Sequence, residues 1–246
     1  MEKALFEINP RLDRPALARR FAERTRVQIR DVLTPGTARE IQSILQATRW
    51  SLAMRGGDSA GTPPQSIANA ELATPAGAEK ANRLARQAHE ATARGDYGFR
   101  YAHYPIIEAL NQGWDPGGPY ELLLEYLNAP DFLDLAREVT GIPELFRADG
   151  QATLYTAQHY LGRHIDSHVA EGWRVAYVLN LAREDWHPDW GGYLAFLDEE
   201  GDIIEGFRPR FNALNLFAVP QSHAVTYVPP FAPVGRYAIT GWLRDR

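Results

Sequence analysis

The 246-residue sequence predicts an α+β protein, and three observations point that way. Apolar residues recur at helical spacing through much of the first 150 positions. Beyond about residue 150 the pattern changes to short runs rich in β-branched and aromatic residues. Those runs are separated by Gly, Pro and Asp turns, as in an antiparallel sandwich or barrel. With 45% hydrophobic and 23% charged residues, the composition is that of a globular chain long enough to bury a core. A single unit over 1–246 is expected, with 1–117 a mostly helical extension and pocket cover and 118–246 a helical buttress plus the β core.

The elements follow in order. "RPALARRFAERT" (14–25) and "TAREIQSILQAT" (37–48) carry apolar residues at helical spacing, the second opened by a "TPGT" start signal, with "VQIRDVL" (27–33) as a strand between them. Residues 55–73, rich in Gly, Ser, Pro and Ala, read as a loop. Residues 76–95 form a helix that ends on Gly95, and 119–128 and 130–141 form a helical pair, each opened by proline. The strands are "ATLYTAQHYL" (152–161), "WRVAYVLNL" (173–181), "GGYLAFLD" (191–198), "NALNLFAV" (212–219), "HAVTYV" (223–228) and "RYAITGWL" (236–243).

Several function classes are disfavoured at once. A net charge of −5 supplies no basic footprint for nucleic acid and no attraction to anionic membrane. No run approaches the roughly 18 apolar residues of a membrane span, and the N-terminus has no apolar signal core, so a cytoplasmic location is expected. With no cysteine, disulfides, thiolate ligands and a cysteine nucleophile are excluded. Any metal must be held by His, Asp, Glu or backbone oxygen, which favours Fe(II) or Mn(II) over structural zinc.

Three histidines and an aspartate crowd into "QHYLGRHIDSH" (158–168), in a chain with seven histidines. On a strand, residues i and i+2 point the same way, so His164 and Asp166 aim an imidazole and a carboxylate at one point. His223, in a segment that reads as strand, is the candidate third ligand. Two histidines and one carboxylate make the facial set of non-haem iron oxygenases, with the opposite face open. Alone, the H-x-D tripeptide recurs by chance. Further on, Arg236 shares a strand face with Ala238, Thr240 and Trp242. An inward arginine there needs an anion, because a buried unpaired guanidinium is severely destabilising; the alternatives are a structural Asp or Glu partner, or solvent.

Taken together, "HID" (164–166), "WGGYLAF" (190–196), "SHAVTYV" (222–228) and "RYAITGWL" (236–243) resemble the Fe(II)/2-oxoglutarate-dependent dioxygenases, in the prolyl 4-hydroxylase-like branch. The helical stretch before the β half looks like the bacterial relatives of the ribosomal-protein prolyl hydroxylases. The resemblance covers about 118–246 well and the first hundred residues only loosely. It implies a double-stranded β-helix (jelly roll) with buttressing helices. It also implies Fe(II) on His164, Asp166 and His223, and 2-oxoglutarate clamped by Arg236 through its distal carboxylate. Tyr155 and Thr240 would support that co-substrate, Trp242 would lie near the substrate end, and ascorbate would help to keep the iron reduced. Asp166 stands where related halogenases carry a small residue, which favours hydroxylation. The implied reaction consumes O₂ and yields succinate and CO₂, with a prolyl residue of a protein or peptide as first substrate. A free amino acid or small natural product is the rival, and a non-catalytic jelly-roll binding module is the alternative from another class.

The remaining features have plainer readings. His159, at an odd offset from His164, should face away from it. His168 could approach the substrate from the loop after the ligand strand. His187 reads as a solvated turn residue, and His89 and His103 as structural, although "RYAHYP" (100–105) could contribute to a substrate-side lid. "DEEGD" (198–202) reads as a hairpin turn rather than a calcium loop. The arginine-rich 14–26 segment reads as an exposed helix face.

Overall fold

The structure, a computed structural model, describes residues 6–56, 64–166 and 168–246, with the side chains of His168 and Val169 outside that description. The described N-terminal part contains α1 (Arg14–Arg24), β1 (Arg26–Arg30), α2 (Pro35–Ala47), β2 (Ser51–Gly56), β3 (Gln65–Ile67), α3 (Asn69–Leu72), α4 (Pro75–Ala93), β4 (Gly98–Tyr104) and α5 (Ile106–Asn111). Next come α6 (Pro119–Leu127) and α7 (Pro130–Thr140), followed by β5 (Arg147–Ala148), β6 (Gln151–Tyr155), β7 (Tyr160–Ile165) and β8 (Trp173–Asn180). The chain closes with β9 (Leu194–Leu197), β10 (Ile203–Phe207), β11 (Ala213–Ala218), β12 (Ser222–Val225) and β13 (Arg236–Arg244).

Helix boundaries follow local chemistry. Asp13 Oδ1 accepts the Ala16 N–H at 3.0 Å at the start of α1, and Thr74 does the same for Gly77 at the start of α4. Pro119 and Pro130 open α6 and α7 as expected. Gly141, at φ +70°, closes α7 in the left-handed conformation that a side chain disfavours.

The strands join into one antiparallel sheet that curls nearly closed, in the order β1-β11-β8-β13-β6-β4-β7-β12-β9-β10. This is the jelly roll. One half packs its outer face on the helices. Val175, Tyr177 and Leu179 of β8, Leu214 and Leu216 of β11 and Ile239 and Leu243 of β13 meet Phe132, Leu135 and Val139 of α7 and Ile41 and Leu45 of α2. The alternate residues point into the roll, where Ala176, Val178, Phe196, Phe217 and Ala238 form a second cluster. Two-residue periodicity thus separates a helix-facing core from a cavity-facing wall.

Several sequence-based expectations need correction. The 55–73 segment is not a single loop: Arg55 and Gly56 end β2, and β3 and α3 follow, while 57–63 lie outside the described residues. The 105–118 stretch, whose sequence also reads as a long loop, contains α5. "RYAHYP" is no lid. It belongs to β4, which inserts between β6 and β7, with Ala102 opposite Leu154 and Phe99 opposite Leu161. The N-terminal portion is therefore less helical than its sequence suggested, because β1 pairs with β11 and β4 completes the wall. The 152–161 run is two strands separated by a turn, with Gln158 at φ +69°. The short strands β5 and β10 were not anticipated. The "DEEGD" turn is confirmed as the β9–β10 connection, with Asp198 Oδ1 accepting from Gly201 and Asp202 N–H groups.

His159 lies in the turn between β6 and β7, buried, with Nδ1 accepting the Thr156 N–H at 3.1 Å. Burial, followed by the nearby Arg100 charge, lowers its pKa to about 4. A histidine with a depressed folded pKa is neutral in the fold and charges on unfolding. The unfolded chain therefore binds more protons between about pH 6.5 and 4, and stability falls as pH drops through that window. His159→Gln is expected to flatten this slope by an amount on the order of 3 kcal/mol between pH 7 and pH 4. Urea unfolding at both pH values checks it; an unchanged slope contradicts the assignment.

Candidate active site

His164 and His223 are direct cross-strand partners, because the β7–β12 ladder sets residue 164 opposite residue 223. Their rings lie 4.1 Å apart between centroids. Each imidazole is fixed in the same way. His164 Nδ1 lies 2.9 Å from the Gly162 carbonyl, and His223 Nδ1 lies 2.9 Å from the Gln221 carbonyl. A carbonyl can only accept, so each Nδ1 carries the proton and each Nε2 lone pair points into the roll. Burial and then the neighbouring His164 lower the His223 pKa to about 4, which keeps the lone pair free at neutral pH.

Asp166 follows the end of β7 and turns its carboxylate to the same point. Its Oδ1 lies 3.7 Å from His164 Nε2 and its Oδ2 3.7 Å from His223 Nε2. One ligand atom from each of the three residues falls within 4.8 Å of the others, and no other such group occurs among the described residues. Two neutral imidazoles and one carboxylate suit a divalent iron centre in donor type and number. The sequence pairing of His164 with Asp166, and the distant His223, come together as expected.

The triad opens on a cavity of about 190 Å³ that is also lined by Arg236, Tyr155 and Thr240. Arg236 is 2% exposed. Its Nε donates to Asn180 Oδ1 at 3.2 Å, and its guanidinium lies 5.3 Å from the centre of the Tyr155 ring. Its Nη1 is buried with no hydrogen-bond partner among the described residues. Neither a structural carboxylate nor solvent meets it, so the two alternative readings of this arginine fail. Burial pulls its pKa down to about 10, which still leaves it charged at neutral pH. A buried guanidinium with an unmet donor beside a three-ligand cluster is the arrangement a carboxylate-bearing metal chelator would complete.

Sequence reasoning missed part of the wall. Tyr101 stacks on Tyr155 at 5.2 Å and 19°, and it lines the cavity together with Tyr97, Gln151 and Thr153. Burial raises the pKa of both Tyr101 and Tyr155. The signal was present in 97–103: Tyr97, Phe99, Tyr101 and His103 alternate, and their rings form a continuous stripe along one face of β4. Reading that period of two as strand would have found it. Asn180, the acceptor for Arg236, was also missed. His159, His89 and His187 stand outside the cavity lining, and the side chain of His168 lies outside the described residues. His103 contacts Ser66 Oγ at 3.0 Å within the sheet.

Residues 150–244 match the family model of the 2OG-Fe(II) oxygenase superfamily, a span that contains the triad and Arg236. That match and the His164–Asp166–His223 cluster support a dioxygenase that uses Fe(II) and 2-oxoglutarate. Among curated proteins none matches the sequence. Solved structures share the fold. A prolyl-4-hydroxylase from Pseudomonas putida superposes with a TM-score of 0.57 at 19% identity, over 95% of this chain and 99% of that one. A Trichoplax adhaerens prolyl hydroxylase, solved with a hypoxia inducible factor oxygen degradation domain peptide fragment, gives 0.50 at 17%, over 94% and 89%. The non-heme alpha ketoglutarate dependent epimerase SnoN of nogalamycin biosynthesis gives 0.56 at 12%, over 94% and 80%.

An unmet buried charge costs stability when no anion is present. Arg236→Met is therefore expected to raise the ligand-free stability by about 1 kcal/mol. Adding 2-oxoglutarate with Mn(II) should raise the wild-type urea midpoint and leave that of the variant unmoved by the co-substrate. A variant less stable than wild type, yet still stabilised by 2-oxoglutarate, contradicts this account.

Proposed function

We propose that the protein is a 2-oxoglutarate-dependent hydroxylase whose iron is held by His164, Asp166 and His223, and that its substrate is a prolyl residue of a protein or peptide. The observation that carries the site assignment is the unpartnered Nη1 of buried Arg236, in the cavity onto which the three-ligand cluster opens. Iron bound there supplies O₂ activation coupled to oxidative decarboxylation of 2-oxoglutarate to succinate and CO₂, which drives hydroxylation of a C–H bond.

The chain's own residues do the rest. Arg236 takes the distal carboxylate of 2-oxoglutarate in charge-assisted hydrogen bonds, held at the right depth by Asn180. Tyr155 and Thr240 line the same cavity and orient that carboxylate. The Nδ1–H bonds to Gly162 and Gln221 hold both imidazoles in the ligating tautomer. Phe217 packs edge-on to the His223 ring at 4.8 Å and, with Leu194 and Val225, keeps water from the inner wall. Trp242 borders the cavity on the Asp166 side, where substrate would enter.

The prolyl assignment rests on the sequence resemblance and on the two prolyl hydroxylases that share the fold. A small-molecule substrate is the second reading, favoured by the equally good superposition on the epimerase of nogalamycin biosynthesis.

Anaerobic addition of Fe(II) and 2-oxoglutarate is expected to produce a weak visible charge-transfer band, lost in His164→Ala. Arg236→Gln should raise the KM for 2-oxoglutarate by roughly 10–100-fold, the effect of leaving one charged bond unmade. Succinate release should rise with proline-containing peptides, which gain one oxygen by mass. Stimulation by free amino acids or polyketide-like molecules alone would move the assignment to the second reading.

A further inference from the structure

Trp242 has a more specific place in the site than its position at the cavity edge suggests. Its indole Nε1–H donates to Asp166 Oδ2 at 3.0 Å. The ring that carries this donor is itself held. It stacks on Trp173 at 3.9 Å and 16°, and Trp173 lies 5.7 Å from the guanidinium of Arg244. The Trp242 backbone is tied as well: its N–H donates to Asp149 Oδ1 at 2.8 Å, and Asp149 Oδ2 accepts from Arg244 Nε at 3.1 Å. Gly241 permits the approach, because a Cβ there would stand 2.2 Å from the Asp149 carbonyl oxygen.

Asp166 needs such a support. The two histidines are aligned by the β7–β12 ladder and by their own Nδ1–H bonds, but β7 ends at Ile165. The carboxylate that follows has no ladder partner, and rotation about its terminal bond is soft. Among the described residues, Oδ1 has no hydrogen-bond donor, whereas Oδ2 has the indole. The two oxygens are therefore unequal before any metal arrives.

We propose that Trp242 is a positioning residue of the metal centre: its indole N–H pins Oδ2 of Asp166 and presents Oδ1 as the ligating oxygen. This rests on the iron-site reading above. A carboxylate restrained in this way ligates through one oxygen, which keeps the open face of the centre for co-substrate and O₂. The Trp173 stack and the Asp149–Arg244 clamp set the indole in place, so the support reaches from β8 and the residue after β5 through β13 to Asp166.

The test is Mn(II) binding by calorimetry, which reads the site without turnover. Trp242→Phe keeps an aromatic ring for the Trp173 stack and removes the N–H. Its Mn(II) affinity is expected to fall by roughly 10–100-fold, the range seen when a ligand's hydrogen-bond support is lost, with ligand-free stability little changed. A variant that binds Mn(II) within about twofold of wild type overturns the proposal. The iron-site reading fails separately, if wild-type protein does not bind Mn(II) or if binding survives His164→Ala. Should Trp242→Phe not fold, indole resonances of the wild type and of Asp166→Ala carry the test. Of the six tryptophan indole N–H resonances, the one from Trp242 is expected to be exchange-protected, to shift when Zn(II) is added, and to move to the free-indole position in Asp166→Ala. Six resonances unaffected by Asp166→Ala also overturn it.

Discussion

The arginine end of the cavity depends on the two-faced alternation of strands β8 and β13. In β8 and β13, one set of residues (Val175, Tyr177, Leu179, Ile239, Leu243) is buried against the helices, and the interleaved set faces the roll. Asn180, Arg236, Thr240 and Trp242 belong to the second set. A register slip of one residue would drive Arg236 into the helix-facing core and Ile239 into the cavity. The large apolar cluster under the helices prevents that slip, so the energy of the core also orients the chemistry.

The site is electrostatically unfinished. Arg236 is charged, buried and short of one partner, and His223 is kept neutral in a pocket of Phe196 and Phe217. The buried charge is costly in an isolated protein, and both states are useful in a loaded one. On the proposed reading, a dicarboxylate would satisfy the guanidinium and a divalent cation would take the imidazole lone pairs. The surrounding sheet tolerates the cost because the helix-facing core is separate from the cavity wall.

Support for the three candidate ligands is unequal. The imidazoles are held by backbone carbonyls two residues away, so local chain geometry sets them. Asp166 instead relies on an indole 76 residues distant, itself braced by Trp173, Asp149 and Arg244. The N-terminal part also contributes wall: Tyr101 of β4 stacks on Tyr155 and closes the side of the cavity that the C-terminal strands leave open. The family match begins only at residue 150, yet the cavity needs strands from both sides of that boundary.

Periodicity alone marked the helical buttress, the β-rich half and the same-face placement of His164 with Asp166 and of Arg236 with Thr240. These are properties of neighbours, decided by the 3.6- and 2-residue repeats. Strand β2 was not legible to the same degree, because its Gly- and Ser-rich surroundings mask it, whereas β4 carried a readable alternation of Phe99, Tyr101 and His103 whose aromatics suggested a lid instead. Strand order was beyond periodicity as well. The cross-strand meeting of His164 with His223, the missing partner at Arg236 Nη1 and the indole on Asp166 exist only once the sheet has curled. They join residues distant along the chain, and their spacing is set by ladder register and burial rather than by any local preference.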